Sequence, residues 1–140
     1  VSKRAYLDTS SYLAVLLGER EAPAVLARLR GLVLCTSTLL LVEAERNLLR
    51  LARERIIKTD QFQQCMAQLL KDREAMILRD FTGDLALTGE FPLVCVPRSL
   101  DLIHLRTAKW FAAEPPGLRH FETLDEAQAS AARELGLPLD

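Results

Sequence analysis

The chain has no long hydrophobic run, few cysteines, no glycine-rich loop and almost no net charge, and each shortage removes a class of function. Its apolar stretches, such as residues 39–42, fall far short of the roughly 20 residues that a membrane-spanning helix needs. No membrane role is expected. The three cysteines, Cys35, Cys65 and Cys95, are odd in number and lack metal-ligand spacing, so reduced thiols in a cytoplasmic protein are expected. Neither GxGxxG nor a Walker pattern occurs, which argues against the common nucleotide-binding loops. The formal net charge of -1 provides no global basic field, although 18 Lys and Arg residues remain to form a local patch for nucleic acid. At the N-terminus Val1-Ser-Lys-Arg runs straight into a strand-like segment, with no signal-peptide pattern.

What is present suits one globular domain spanning residues 1–140. At this length folding buries roughly 68 to 70% of the unfolded chain's surface, and 49% hydrophobic with 26% charged residues is neither disordered nor fibrous. Residues 4–8 alternate as a strand. Ser10 is placed to cap a helix over 11–17 that Gly18 ends, and a second helix over 22–30 tolerates Pro23 in its first turn and stops at Gly31. A strand ends near Thr36, after which Ser37 or Thr38 caps a long helix to about Arg53. Thr59 caps another to Arg73, and residues 75–79 read as a third strand. Gly83, Gly89, Pro92 and Pro97 break up residues 81–98, which carry no assignable motif. A helix over 99–113 stops at Pro115-Pro116-Gly117, a short extended stretch covers 118–122, and a last helix runs over 125–135. Strands alternating with helices imply an α/β fold whose parallel sheet is covered on both faces.

Four acids, Asp8, Glu43, Asp101 and Asp125, stand where a strand ends or a helix begins. In an open parallel sheet ligands bind in the crevice beyond the carboxyl ends of the strands, so acids at those ends can converge. Unit charges about 4 Å apart at an effective dielectric near 20 repel by roughly 4 kcal/mol, so a convergent cluster implies a bound cation or raised pKa values. A cation is the expected answer. Taken singly, each acid has another explanation. Asp101 lies in the first turn of a helix, where acids favour the dipole, and Thr123-Leu-Asp-Glu126 reads as a capping box with Thr123 as cap.

The helix carrying Glu43 also carries Arg46, Arg50 and Arg53 within an arc of about 80°, opposite Leu40, Leu41, Ala44, Leu48, Leu51 and Ala52. That stripe is either a phosphate track leading from a metal-binding acid or a solvated, ion-paired face. Glu45 is expected to project into the middle of the apolar arc, where an unpaired acid is costly, and stays open as an alternative ligand or an interface residue.

Leu7-Asp8-Thr9-Ser10, then Thr36-Ser37 with Glu43 six residues on, then Arg98-Ser-Leu-Asp101-Leu-Ile-His104-Leu, then Thr123-Leu-Asp125, resemble in order the four blocks of the PIN-domain nucleases. VapC-like toxins of toxin-antitoxin pairs are the most similar branch. The resemblance spans almost the whole chain, and its spacing after Ser37 selects Glu43 over Glu45. It implies a PIN-like three-layer α/β/α sandwich with a central, mainly parallel sheet of four to five strands. It also implies metal-dependent RNA cleavage, an RNA substrate, and as partners a cognate antitoxin and a second copy of the chain. Residues 91–97 depart from the family, which usually has a clear helix before the third acid.

The chemistry agrees with the residues. Asp8, Glu43 and Asp101 offer the hard oxygen ligands that Mg²⁺ or Mn²⁺ prefers, and Asp125 completes the site or holds a second ion. Ser10 and Thr123 are expected to fix carboxylate orientation by hydrogen bonds. His104, one turn from Asp101 among leucines, is read as structural and left out of the catalytic set. Among rivals, a haloacid-dehalogenase-like phosphatase wants Asp-x-Asp after the first strand, where position 10 is Ser. A receiver module wants paired acids there and a lone phosphorylatable Asp after the third strand, where the chain has Asp80 with only Asp8 to help. A nuclease acting in RNA processing, or a PIN-like domain that only binds, would keep the same fold; retention of all four acids argues against the binding-only form.

Overall fold

Strand β1 (Arg4–Leu7) explains most of the architecture, because its side chains alternate between two separate cores. Ala5 and Leu7 enter one buried cluster and Tyr6 enters another, the period of two expected for a strand covered on both faces. The computed structural model describes residues 2–140. After β1 come α1 (Thr9–Leu16), α2 (Ala22–Leu29), β2 (Val33–Ser37), α3 (Leu39–Arg53) and α4 (Thr59–Ala75). There follow β3 (Ile77–Arg79), α5 (Gly83–Ala86), α6 (Ser99–Ala113), β4 (His120–Glu122) and α7 (Glu126–Glu134). No helix among the described residues is long and apolar enough to cross a membrane.

The four strands form one sheet in the order β3-β2-β1-β4, every neighbouring pair parallel. The chain steps outward from β1 to β2 to β3, then returns to add β4 on the other side of β1. The strand order therefore reverses between β1 and β4, the place where an open α/β sheet leaves a crevice at its carboxyl edge. One core joins α1, α2, α3 and α4 to Ala5 and Leu7. The other joins α6 and α7 to Tyr6, Cys35 and Phe121, with the Tyr6 and Phe121 rings stacked 5.4 Å apart across β1 and β4. The fold is thus α/β with a four-stranded parallel sheet and helices over both faces, an arrangement compatible with three layers.

Element ends depart from the sequence expectations where side chains are drawn elsewhere. Helix α1 begins at Thr9, with Asp8 rather than Ser10 at its cap position and no side-chain cap bond. The Ser10 hydroxyl is instead engaged with Asp8 and Thr123. The cap of α7 is Asp125, whose Oδ1 accepts from the backbone N–H groups of Ala127 and Gln128 at 2.9 and 3.1 Å. Thr123 does not fill that role; its hydroxyl faces Asp8. Residues 87–98 form no regular element, and Leu87, Leu93, Val94 and Val96 there are almost wholly exposed.

Candidate metal centre

Asp8 sits one residue beyond β1, and its backbone N–H extends the ladder by donating to the Glu122 carbonyl at 2.9 Å. That bond holds the residue at the switch point, where Asp8 is 4% exposed. Asp8 Oδ2 accepts from Thr123 Oγ1 at 2.7 Å and from Ser10 Oγ at 3.2 Å, so the two hydroxyls named from sequence both hold this carboxylate. Burial pushes its carboxyl above the ordinary range, an effect that His104, Thr123 and Ser10 only partly offset.

Helix α3 brings Glu43 to the same place. Its Oε1 accepts from Thr9 Oγ1 at 2.7 Å and lies 2.6 Å from His104 Nε2. Burial alone would raise the Glu43 pKa, but the His104 hydrogen bond and charge, with Thr9, outweigh it and hold the carboxyl below its ordinary value. Glu45, the open alternative, is exposed and lines none of the crevice. It falls at the edge of the buried row Leu40, Ala44 and Leu48 rather than within it, which is why an acid there costs little.

Asp101 stands in the first turn of α6 and Asp125 caps α7. The two helix starts are tied together by Gln128, whose side-chain amide donates to the Asp101 carbonyl at 2.9 Å. Burial raises the Asp101 pKa, and repulsion from Asp8, Asp125 and Glu43 adds to it, so the four acids share one field. Glu43, Asp101 and Asp125 line a crevice of about 500 Å³ with residues 95–100 and Gln128. Asp8 lies beneath that surface rather than on it.

His104 is the residue that sequence reasoning set aside and the fold places at the centre. It is 1% exposed, its Nε2 is 2.6 Å from Glu43 Oε1 and 4.0 Å from Asp8 Oδ1, and its Nδ1 is 2.7 Å from the Tyr6 hydroxyl. Burial holds the Tyr6 phenol well above its ordinary pKa, so it stays protonated beside Nδ1, and the other ring nitrogen, Nε2, is hydrogen-bonded to Glu43. The spacing of three from Asp101, which puts both on one helix face, was the available signal. Thr9 was missed as well, though it adjoins Asp8.

Whether these groups suit a metal ion turns on the free oxygens. Among the described residues Asp8 Oδ1, Glu43 Oε2, Asp125 Oδ2 and both Asp101 carboxylate oxygens accept no protein hydrogen bond. Every acid thus keeps at least one hard oxygen donor open, which fits Mg²⁺ or Mn²⁺. No group of three or more His, Cys, Asp or Glu side chains among the described residues is already arranged around one ion position. The Arg stripe behaves differently along its length. Arg46, Arg50 and Arg53 are all exposed, but Arg50 Nη1 is committed to Glu54 at 2.9 Å.

No protein-family model matches the chain, and no curated protein matches it. The resemblance to PIN-domain nucleases rests on the residues and their order.

Proposed function

We propose that the chain is a metal-dependent endoribonuclease of the PIN-domain type, hydrolysing RNA phosphodiester bonds at the crevice between β1 and β4. The observation that carries this reading is the meeting of Asp8, Glu43, Asp101 and Asp125, each with an oxygen free of protein donors, at the switch point of a parallel sheet. A non-catalytic role gives no reason to hold four mutually repelling carboxylates together.

Each side chain has a definable part. Thr123 and Ser10 hold Asp8 by one oxygen and leave the other free of hydrogen bonds among the described residues. His104 and Thr9 do the same for Glu43, and the hydrogen bonds that lower its pKa keep it anionic at neutral pH. Asp125 is oriented by the first turn of α7 and Asp101 by its place in α6. Mg²⁺ or Mn²⁺, when bound, would neutralise these charges, acidify a water and offset charge on the leaving oxygen. The resemblance also proposes a toxin's partners, an antitoxin and a second copy of the chain. Val96, exposed on the crevice wall, and the exposed apolar residues Leu87, Leu93 and Val94 earlier in the same irregular segment support a protein partner.

Purified protein incubated with labelled single-stranded RNA tests the proposal. Products that form with Mg²⁺ or Mn²⁺ and vanish with chelator support it; RNA left intact at every ion concentration refutes it.

A further inference from the structure

The opposite edge of the sheet carries a charge pattern that the acid site does not use. Lys3 and Arg119 immediately precede β1 and β4, and Arg30 lies three residues before β2, so a cation stands ahead of each of three neighbouring strands in the order β2-β1-β4. Backbone bonds fix the alignment: Val33 N–H donates to the Lys3 carbonyl at 2.8 Å, and Arg119 N–H donates to the Arg4 carbonyl at 2.8 Å. All three side chains are exposed, and none forms an ion pair among the described residues. A groove of about 510 Å³ runs along them, lined also by Arg28 and His120, with Leu32 and Leu139 as apolar walls. Its one acidic lining residue is Asp140.

Arg28 is held rigidly at this groove. Its Nε and Nη2 donate to the two Glu122 oxygens at 2.8 and 2.9 Å, while Nη1 makes no hydrogen bond among the described residues. Glu122 is 1% exposed and occupied by Arg28, His120 and Ser11, so its charge lies under the groove rather than in it. In a chain of net charge -1 this concentration of cations is local. Adjacent strands lie about 4.8 Å apart, so three strand starts set out a row roughly 10 Å long. A row of that kind matches successive phosphates of a strand better than a single anion.

We propose that this groove is a second RNA contact, binding the sugar-phosphate backbone of a single strand without reading its bases. The identity of the polyanion rests on the ribonuclease reading above. No Phe, Tyr or Trp lines the groove to stack a base, and the His120 ring is held by Glu122 at 2.9 Å, so the contact is electrostatic and sequence-tolerant. It engages phosphates outside the acid cluster, whose own field opposes their approach when no cation is bound.

Fluorescence anisotropy of a labelled 20-nucleotide oligouridylate, measured with chelator present over a series of salt concentrations, tests the site. Each phosphate contact to a single strand contributes a slope of about 0.7 in log K against log salt. The Lys3→Gln, Arg30→Gln, Arg119→Gln triple variant should therefore flatten the slope by about 2 and weaken binding at low salt. Equal slopes and affinities for the two proteins would overturn the proposal. Loss of poly-glutamate binding with an unchanged RNA slope would also overturn it, assigning the groove to an acidic protein. Because no divalent ion is present, the result is independent of whether the chain cleaves RNA.

Discussion

His104 Nε2 stands 2.6 Å from Glu43 Oε1, joining α6 to α3 beneath the crevice, while its other ring nitrogen takes the Tyr6 hydroxyl at 2.7 Å. The three side chains form one buried line from the middle of the sheet to the acid cluster. His104 is in this sense a positioning residue: it sets the direction of a carboxylate without lying on the crevice surface.

From this relationship, His104→Gln should weaken Mg²⁺ binding by about 10-fold or more and slow cleavage to a similar degree, the usual scale for losing a partner behind a metal ligand. Calorimetric titration with Mg²⁺ reads the affinity directly. Unchanged affinity would mean that Glu43 does not depend on His104 for its orientation.

Repulsion within the cluster predicts the sign of another substitution. Burial, then Asp8 and Asp125, raise the Asp101 pKa, so above both its unfolded and folded values the ionised group opposes folding, and stability falls as pH rises between them. Asp101→Asn should thus raise the melting temperature of the metal-free protein by about 2–4 °C, the shift that roughly 1 kcal/mol gives in a domain of this size. Added Mg²⁺ should reverse the order, because only the wild type gains by binding it. A lower metal-free melting temperature in the variant would contradict the shared field.

A second buried acid carries the opposite dependence. Burial alone would raise the Glu122 pKa, yet the paired bonds from Arg28, with His120 and Ser11, bring it down to about 2. A depressed carboxylate stabilises the fold above its unfolded pKa, near 4.3, and loses that contribution as pH falls toward 2. Urea unfolding at a series of pH values should show wild-type stability dropping between about pH 5 and pH 2, with a shallower drop in Glu122→Gln. At neutral pH the variant should be less stable by about 2 kcal/mol, the scale of hydrogen bonds to a charged group. Parallel curves for the two proteins would exclude Glu122 as the source.

The sheet and most helices were legible because their signals are local. Alternation in residues 4–8, stops at Gly18 and Gly31, and the run 99–113 each act through nearest neighbours, and α6 spans the residues expected of it. Gly18 and Gly31 take positive φ values of 66° and 78°, as a left-handed helix exit requires. Residues 81–98 were opaque for a physical reason: apart from α5 they make no regular element, and of their larger apolar side chains Leu85 is buried while Leu87, Leu93, Val94 and Val96 are almost wholly exposed. At the site, the strand-end acids could be named from position, since a carboxyl edge is implied by strand order. Ser10 and Thr123 could also be named as hydroxyls that orient a carboxylate, but the bond between His104 and Glu43 could not, because it joins elements far apart in sequence.

The α3 stripe should divide in function. Arg46 and Arg53 are exposed without an ion pair among the described residues, whereas Arg50 is tied to Glu54. Replacing Arg46 and Arg53 together by Gln should lower RNA affinity and flatten its salt slope by about 1.4, and Arg50→Gln alone should change the slope less. Equal effects of all three arginines would mean that the Glu54 pair does not hold in the complex, and no effect of any would leave the stripe as a solvated face.

The central claim is that Asp8, held by Thr123 and Ser10, is part of a metal site that hydrolyses RNA. Asp8→Asn keeps the shape and removes the charge, so single-turnover cleavage of labelled RNA by the purified variant in saturating Mg²⁺ is the most direct test. The account predicts a rate at least about 100-fold below wild type, the loss expected when several kcal/mol of charge stabilisation are withdrawn, in a protein that melts no lower than wild type without metal. Cleavage by Asp8→Asn at the wild-type rate would contradict it.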